Sequence, residues 1–410
     1  MSYLRRISTR RIVALCAAAV LVAAGAITAI ALATGDDGPT PPPKPLAEAV
    51  RDALRAPAAP GVSARIEFKN RLVDAASLQG SDPILTGATG RLWASANRLR
   101  LELQASPERG GGDVQVLLDG DRLSVYDSAS STVYRAVVKH DGKPERAGSA
   151  PSLARIEKAL AALGQRATVS GATPSNVAGR PAYTVRVAPR NDGGLLGSVQ
   201  LAWDAARGVP LRAAVYASGS DDPVLELKAT DIAFGPVAAS DLTVAIPSGT
   251  KTVDLDPGAE ADTQSGSEAG KQAGSKAGTQ RGSRERRLTG VKAVGAKLGF
   301  PLAAPATLVG LPRQEVRLVD LDGSPGALVT YGKGLGGIAV LESKAQPQQD
   351  KGGGSEGAGQ TLPKISVNGA SGEELDTALG TVVRFRRAGV EYTVLGSVPP
   401  AAAEAAARGL

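Results

Sequence analysis

The sequence predicts an α+β protein: an antiparallel sheet with helices on one face, then a smaller C-terminal α+β domain. Three observations point there. Short strand-type segments of alternating polarity recur between turn signals along most of the chain. Only two helix-type stretches interrupt the first part, and no strand–helix–strand alternation of the doubly wound kind occurs. Gly (50) and Pro (27) together approach a fifth of the 410 residues, against a usual ~12%. Aromatics are only 3%, and the 42% hydrophobic content comes mainly from Ala, Val and Leu, which suits turn-rich β structure and argues against a helical bundle.

The elements follow in order. Leu46, Val50, Ala53 and Leu54 mark one face of a short helix that ends before Pro57. Strands are expected at Val62–Lys69, Gly90–Ala94, Arg98–Ala105, Val114–Leu118, Leu123–Asp127 and Thr132–Val137, with Ser95-Ala96-Asn97 and Asp119-Gly120-Asp121 as turns. A helix at Ser152–Leu163 has Ser152 as its cap and Leu153, Ile156, Leu160 and Leu163 on one face. Strands resume at Arg166–Ser170, Ala182–Ala188, Gly197–Asp204, Pro210–Ala217, Val224–Asp231 and Leu242–Ile246.

Residues 253–290 carry Gly, Ser, Ala, Gln and charge with almost no large apolar side chain. They cannot offset chain entropy by burial and are expected to form a disordered linker. The domain at 291–410 has strand candidates Glu315–Leu321, Ala327–Tyr331, Ile338–Glu342, Thr381–Arg387 and Glu391–Ser397. Residues 345–362 read as an inserted loop, and Pro399-Pro400 opens a closing Ala-rich helix.

The amino terminus carries a membrane signal. Residues 1–11 are a basic cytoplasmic segment, and residues 12–33 are 22 uncharged residues preceded by Arg5, Arg6, Arg10 and Arg11. As a helix this stretch reaches about 33 Å, enough to span a bilayer core of ~30 Å, with the remainder exported. The alternative is a cleaved signal peptide, because Ala31-Leu32-Ala33 is a small-x-small site, and the protein would then be secreted after cleavage near Ala33. Cys16 reads as an inert thiol within the helix. Residues 34–45 form a Pro-rich linker, read as a semi-rigid spacer. Of the net charge of +7, the basic amino terminus supplies four, so the rest of the chain is only +3 and does not indicate a nucleic-acid partner.

The chemistry-bearing motifs are largely absent. One His and one Cys exclude a His/Cys zinc site and a disulfide framework. No P-loop, G-x-G-x-x-G after a strand, G-x-S-x-G or H-E-x-x-H occurs. His140 lies in a turn-like Lys139-His140-Asp141-Gly142-Lys143 with no nucleophile arrangement pointing to it. Ser248 and Lys251 have S-x-x-K spacing without companion motifs and read as the close of a strand. Asp320-Leu321-Asp322-Gly323 starts like a calcium loop but lacks the remaining ligands. No catalytic, cofactor or metal residue is assigned, the ligand-binding residues are unknown, and the chain reads as a non-enzyme.

Several elements resemble a known family. Val199-Gln200-Leu201-Ala202-Trp203-Asp204-Ala205-Ala206-Arg207-Gly208-Val209-Pro210-Leu211-Arg212 resembles the strand, Asp-x-x-x-Gly-x-Pro-Leu-Arg, strand element of the lipoprotein-carrier (LolA-like) superfamily, which includes the RseB/MucB-type sigma-factor regulators. Gly90-Arg91-Leu92-Trp93, Asp119-Gly120-Asp121-Arg122-Leu123-Ser124-Val125-Tyr126-Asp127 and Gly179-Arg180-Pro181-Ala182-Tyr183 follow the family's order. The resemblance covers 46–252, and Gly389–Pro400 with the helix after it is similar to the end of the regulators' small domain. It implies an unclosed half-barrel with covering helices that binds lipid or lipoprotein acyl chains, and a small C-terminal domain that contacts an anti-sigma factor or another membrane protein. The expected function is therefore extracytoplasmic, membrane-tethered and non-catalytic. The alternative is a lipid or lipoprotein carrier without a signalling role.

Overall fold

A computed structural model describes residues 38–72, 87–105, 112–137, 152–190, 193–254, 288–321, 324–345 and 362–410. The N-terminal signal (12–33), most of the linker, the 346–361 loop and His140 lie outside the described residues, as do Asp322 and Gly323. No helix among the described residues is long and apolar enough to cross a membrane.

The protein is mostly β, built on two sheets. The N-terminal part opens with α1 (Leu46–Arg55) and continues through β1 (Val62–Asn70), β2 (Ala88–Ser95), β3 (Arg98–Gln104), β4 (Asp113–Asp119), β5 (Arg122–Asp127) and β6 (Thr132–Val137). Then come α2 (Leu153–Gly164), β7 (Ala167–Val169), β8 (Thr173–Val177), β9 (Arg180–Pro189), β10 (Leu196–Asp204), β11 (Pro210–Ala217), β12 (Pro223–Phe234) and β13 (Lys251–Asp254). These strands form one open, curled 13-stranded sheet, ordered β13-β6-β5-β4-β3-β2-β1-β12-β11-β10-β9-β7, with β8 also on β9. All pairings are antiparallel except β13 with β6. Several of the antiparallel neighbours, such as β2–β3, β4–β5 and β5–β6, are joined by short turns. Gly120, for example, takes φ +63° between β4 and β5, a conformation that costs glycine little.

The C-terminal part adds α3 (Val291–Gly295), β14 (Thr307–Leu308), β15 (Leu311–Leu321), β16 (Ser324–Tyr331), β17 (Ile338–Lys344), β18 (Lys364–Val367), β19 (Ala370–Thr377), β20 (Gly380–Arg387), β21 (Val390–Gly396) and α4 (Pro400–Arg408). Its sheet has the order β14-β15-β16-β17-β21-β20-β19-β18. One face carries Val329, Val340, Val383, Phe385 and Val394, which pack with Val294 of α3 and Ala403, Ala406 and Ala407 of α4. Alanines suit α4 because a small side chain lets the helix backbone sit close to the sheet. The two sheets meet where Leu195 N–H donates to the Ser397 carbonyl (3.1 Å) and Oγ (2.9 Å), and where Ala378 N–H donates to the Leu72 carbonyl (2.8 Å).

Several sequence expectations need correction. Leu242–Ile246 is not a strand: Ala239–Leu242 is a 3-10 turn, anchored by buried Leu242, and an extended unpaired stretch follows. Lys251, read as closing a strand, opens β13 instead, where the chain runs parallel to β6. Of the stretch read as a linker, Val253 and Asp254 complete β13, and Leu288 and Thr289 lie along β15. The Pro-rich segment is not a free spacer in its described part. Polyproline-type backbone leaves its carbonyls unpaired; here the Pro39 carbonyl accepts from Asn176 Nδ2 (2.9 Å) and the Pro42 carbonyl from Tyr183 OH (2.6 Å), with Pro41 buried between them. β8, β14, β18 and β19 were not anticipated, being short or rich in Gly, Ser, Asn and charge.

The Asp-x-x-x-Gly-x-Pro element has a clear mechanical role. Asp204 Oδ1 accepts the N–H groups of Ala206 and Arg207 (both 2.9 Å), and its Oδ2 accepts from Arg180 Nε (3.1 Å). Gly208 then turns with φ +67°, and a Cβ there would sit 2.4 Å from the Ala53 carbonyl oxygen of α1. Helix and turn thus touch backbone to backbone. Gly208→Ala is expected to destabilise the protein by roughly 1–3 kcal/mol, from the left-handed backbone together with displacement of α1. A matched loss in denaturant midpoint would show it; an unchanged midpoint would refute the contact.

The C-terminal core buries a carboxyl group without a charged partner. Glu342 is fully buried; its Oε2 accepts from Ala303 N–H (2.9 Å), while Oε1 has no partner among the described residues. Burial pushes its pKa up to about 7, against the pull of that one N–H. A raised carboxyl pKa means the native state holds the proton more tightly than the unfolded chain does. Glu342's contribution to stability is therefore greatest below about pH 4.5 and falls as pH rises towards 7, by roughly 3 kcal/mol in all. Glu342→Gln is expected to remove that slope, so denaturation at pH 5 and pH 8 should differ less in the variant than in the wild type.

Candidate functional site

The candidate site is the apolar face of the large sheet. Side chains alternate sides along a strand, and direct cross-strand partners share a side, so the register assigns each face. One face carries Tyr183, Val185 and Val187 on β9, facing Trp203, Leu201 and Val199 on β10. It continues through Ala213 and Val215 on β11, Leu225 and Leu227 on β12, and Ile66 and Phe68 on β1. Beyond these it runs on through Leu101, Leu103, Val114, Val116 and Val125 to Tyr134 on β6.

Two packed clusters occupy this face. At the β9–β10 end, Ala49 of α1, Tyr183, Val185 and Trp203 are buried, with Leu46, Val50 and Ala53 of α1 and Leu160 and Leu163 of α2 packed on them. The helix faces read from the sequence are the faces that dock. Ser152 Oγ accepts from Arg155 N–H (3.3 Å) at the start of α2, as its spacing predicts. At the other end, Ile66, Phe68, Leu101, Leu103, Val114, Val116, Leu123, Val125 and Tyr134 form a second cluster with no helix of the described residues in it. The helices therefore cover only part of the face.

Between the clusters lies a strip left partly open to solvent. Val199 is 36% exposed, and Leu201, Ala213, Val215, Leu225 and Leu227 are half-buried. Val199, Ala213 and Val215 belong to neither cluster. With Val187 on β9, the strip crosses four strands, about 14 Å at ordinary strand spacing. At its margin, the indole Nε1 of buried Trp203 has no acceptor among the described residues.

The opposite face is polar and closely bonded. Arg212 Nε donates to Glu226 Oε1 (2.6 Å) and its Nη2 to Tyr216 OH (2.8 Å); Tyr216 OH donates to Gln200 Oε1 (2.9 Å), and Lys69 Nζ reaches Glu226 Oε2 (3.0 Å). Burial disfavours the Glu226 carboxylate, yet the Lys69 hydrogen bond and the Arg212 charge hold its pKa below the ordinary value. The Glu226 hydrogen bond in turn raises Lys69. This network satisfies its own charges and is structural.

The residues singled out in the sequence do not assemble. Among the described residues no group of three or more His, Cys, Asp or Glu side chains could hold a metal ion. Ser248 lies in the irregular stretch before β13 and Lys251 opens that strand. Asp320 is the second-last residue of β15. The strip itself was missed as a set of residues. The period-two pattern of β10–β12 signals a buried face equally well whether or not something covers it, so exposure is not written in it.

No family model and no curated protein matches the sequence. Among solved structures, the chain is similar to MucB in complex with MucA(peri), at 16% identity and a TM-score of 0.39, over 88% of this chain and 94% of that one. It is similar to the MucA/MucB complex of Pseudomonas aeruginosa at 15% identity and a TM-score of 0.39, with the same coverage. A LolA superfamily protein, NE2245 from Nitrosomonas europaea, matches at 13% identity and a TM-score of 0.21, over 48% of this chain and 96% of that one.

Proposed function

We propose that this protein is a non-catalytic, extracytoplasmic binding protein whose apolar strip takes an acyl chain of a lipid or lipoprotein. In this reading residues 12–33 tether it to the membrane, residues 46–252 form the lipid-binding domain, and residues 291–410 form a small domain that relays occupancy to a membrane partner of the anti-sigma-factor kind. The observation that carries the proposal is the strip itself: Val199, Leu201, Ala213, Val215, Leu225 and Leu227 form a continuous apolar surface, half-open, between two packed clusters on one sheet face. Each methylene laid on such a surface gains about 0.8 kcal/mol, so eight of them contribute roughly 6 kcal/mol before ordering costs. The sequence resemblance supports the same reading and supplies the partner class. Carriage without signalling is the second reading, and it requires release of lipid to acceptor membranes in the absence of any partner protein.

The full chain held in amphipol should bind a fluorescent fatty acid saturably. Val199→Glu places a charge in the strip at a position already exposed, so stability should change by less than about 1 kcal/mol while affinity falls about tenfold or more. Failure of the wild-type chain to bind, or equal binding by the variant, would sink the assignment of the strip. Spontaneous transfer of the bound probe to vesicles would favour the carrier over the relay.

A further inference from the structure

We infer that the polar face of the large sheet holds an oxyanion site built on Arg65 and Arg91. A depression of about 570 Å³ lies over β1, β2 and β3, with Arg65, Arg91, Glu67, Glu102 and Thr230 in its lining. Arg65 on β1 is the direct register partner of Arg91 on β2. Two like charges so placed, with Cβ atoms about 5 Å apart, repel each other. Both arginines are exposed, and among the described residues neither guanidinium has an ion-pair or hydrogen-bond partner.

The nearby carboxylates are engaged elsewhere. Glu102, the register partner of Arg91 on β3, accepts from Arg100 Nη2 on Oε2 (3.2 Å) and from Gln104 Nε2 on Oε1 (3.1 Å). Glu67 lies 3.7 Å from Lys69 Nζ. Asp231 stands opposite Arg65 across the β1–β12 pair without an ion pair between them, and the register shifts between Arg65 and Ile66. The shift leaves Thr230 as the extra, exposed residue of β12, and a bulge of this kind re-aims the side chains around it. Gly90 lies on the other flank, where a Cβ would collide with the Glu102 carbonyl oxygen. The register shift and a side-chain-free glycine thus flank the surface where Arg65, Arg91 and Thr230 line one depression. That combination fits a phosphate monoester or inorganic phosphate, whose oxygens accept bidentate donation from each fork.

Thermal unfolding of the full chain in maltoside detergent tests the site, with inorganic phosphate compared against chloride at matched ionic strength so that simple screening is held constant. Phosphate should raise the midpoint above that in chloride. Arg65→Gln/Arg91→Gln should lose this difference, with phosphate affinity about tenfold weaker or worse, while its midpoint in chloride stays at or above the wild type because the opposed charges are gone. Arg65→Lys/Arg91→Lys keeps both charges without the forks and should retain part of the effect, which guards against a merely misfolded double variant. Dihexanoyl phosphatidic acid identifies the source: protection by the lipid but not by free phosphate, lost in the Gln double variant and kept in Val199→Glu, assigns a lipid headgroup. Protection by free phosphate assigns a soluble oxyanion. No phosphate-specific rise in the wild type with no protection by the lipid, or equal responses in wild type and Gln double variant, would overturn the site.

Discussion

The large sheet depends on one constraint: neighbouring strands must agree on which side is dry. A one-residue slip anywhere would turn a strand's apolar set into solvent and its charged set into the core. The register avoids this from β9 to β6, with Trp203, Leu201, Leu227, Phe68, Leu101, Val116, Val125 and Tyr134 all on one side. Arg186, Gln200, Arg212, Glu226, Lys69 and Glu102 stand on the other. Shifts occur where β1 meets β12, where β10 meets β11 and where β11 meets β12. There the curled sheet absorbs an extra residue, and a separate cluster of Val177, Ala182, Ala202, Leu211 and Ile232 closes that end.

The two sheets treat buried charge differently. In the large sheet, Glu226 is met by a lysine and an arginine, and its carboxylate is held in the charged form. In the C-terminal sheet, Glu391 is likewise met by Arg384 Nε (2.6 Å) and Arg386 Nε (2.8 Å). Glu342, on the opposite face of that sheet, receives only a backbone N–H. Paired carboxylates can be buried at modest net cost, whereas a solitary one shifts towards its neutral form. The contrast separates two carboxylates held in ion-pair networks from Glu342, whose state depends on the medium.

Much of this was legible in the sequence where one local signal dominates. Pro210–Ala217 is a strand in its predicted bounds, because a proline and a polar turn delimit an alternating run. Ser152 caps its helix, and Leu46, Val50 and Ala53 dock as their spacing requires. The misreadings share a cause. Leu242–Ile246 alternates like a strand but has no partner, and Lys251–Asp254 has little pattern yet finds the free edge of β6. Pairing is a property of neighbours distant in sequence, which local periodicity does not carry. The strip and the opposed arginines were illegible for the same reason, since each exists only when strands far apart in the chain are set side by side.

The docking of Pro39 and Pro42 against Asn176 and Tyr183 fixes a leash length. With residues 12–33 in the bilayer, as proposed, only residues 34–38 remain between the membrane and the first docked proline. Five residues reach at most about 17 Å. The β8–β9 edge would then ride close above the lipid headgroups. Val187 of β9, which opens the apolar strip, belongs to that same end of the sheet. A tether this short would confine the proposed binding face to the layer from which a lipid would have to rise, and it would leave the far edge at β6 and β13 as the end that looks away.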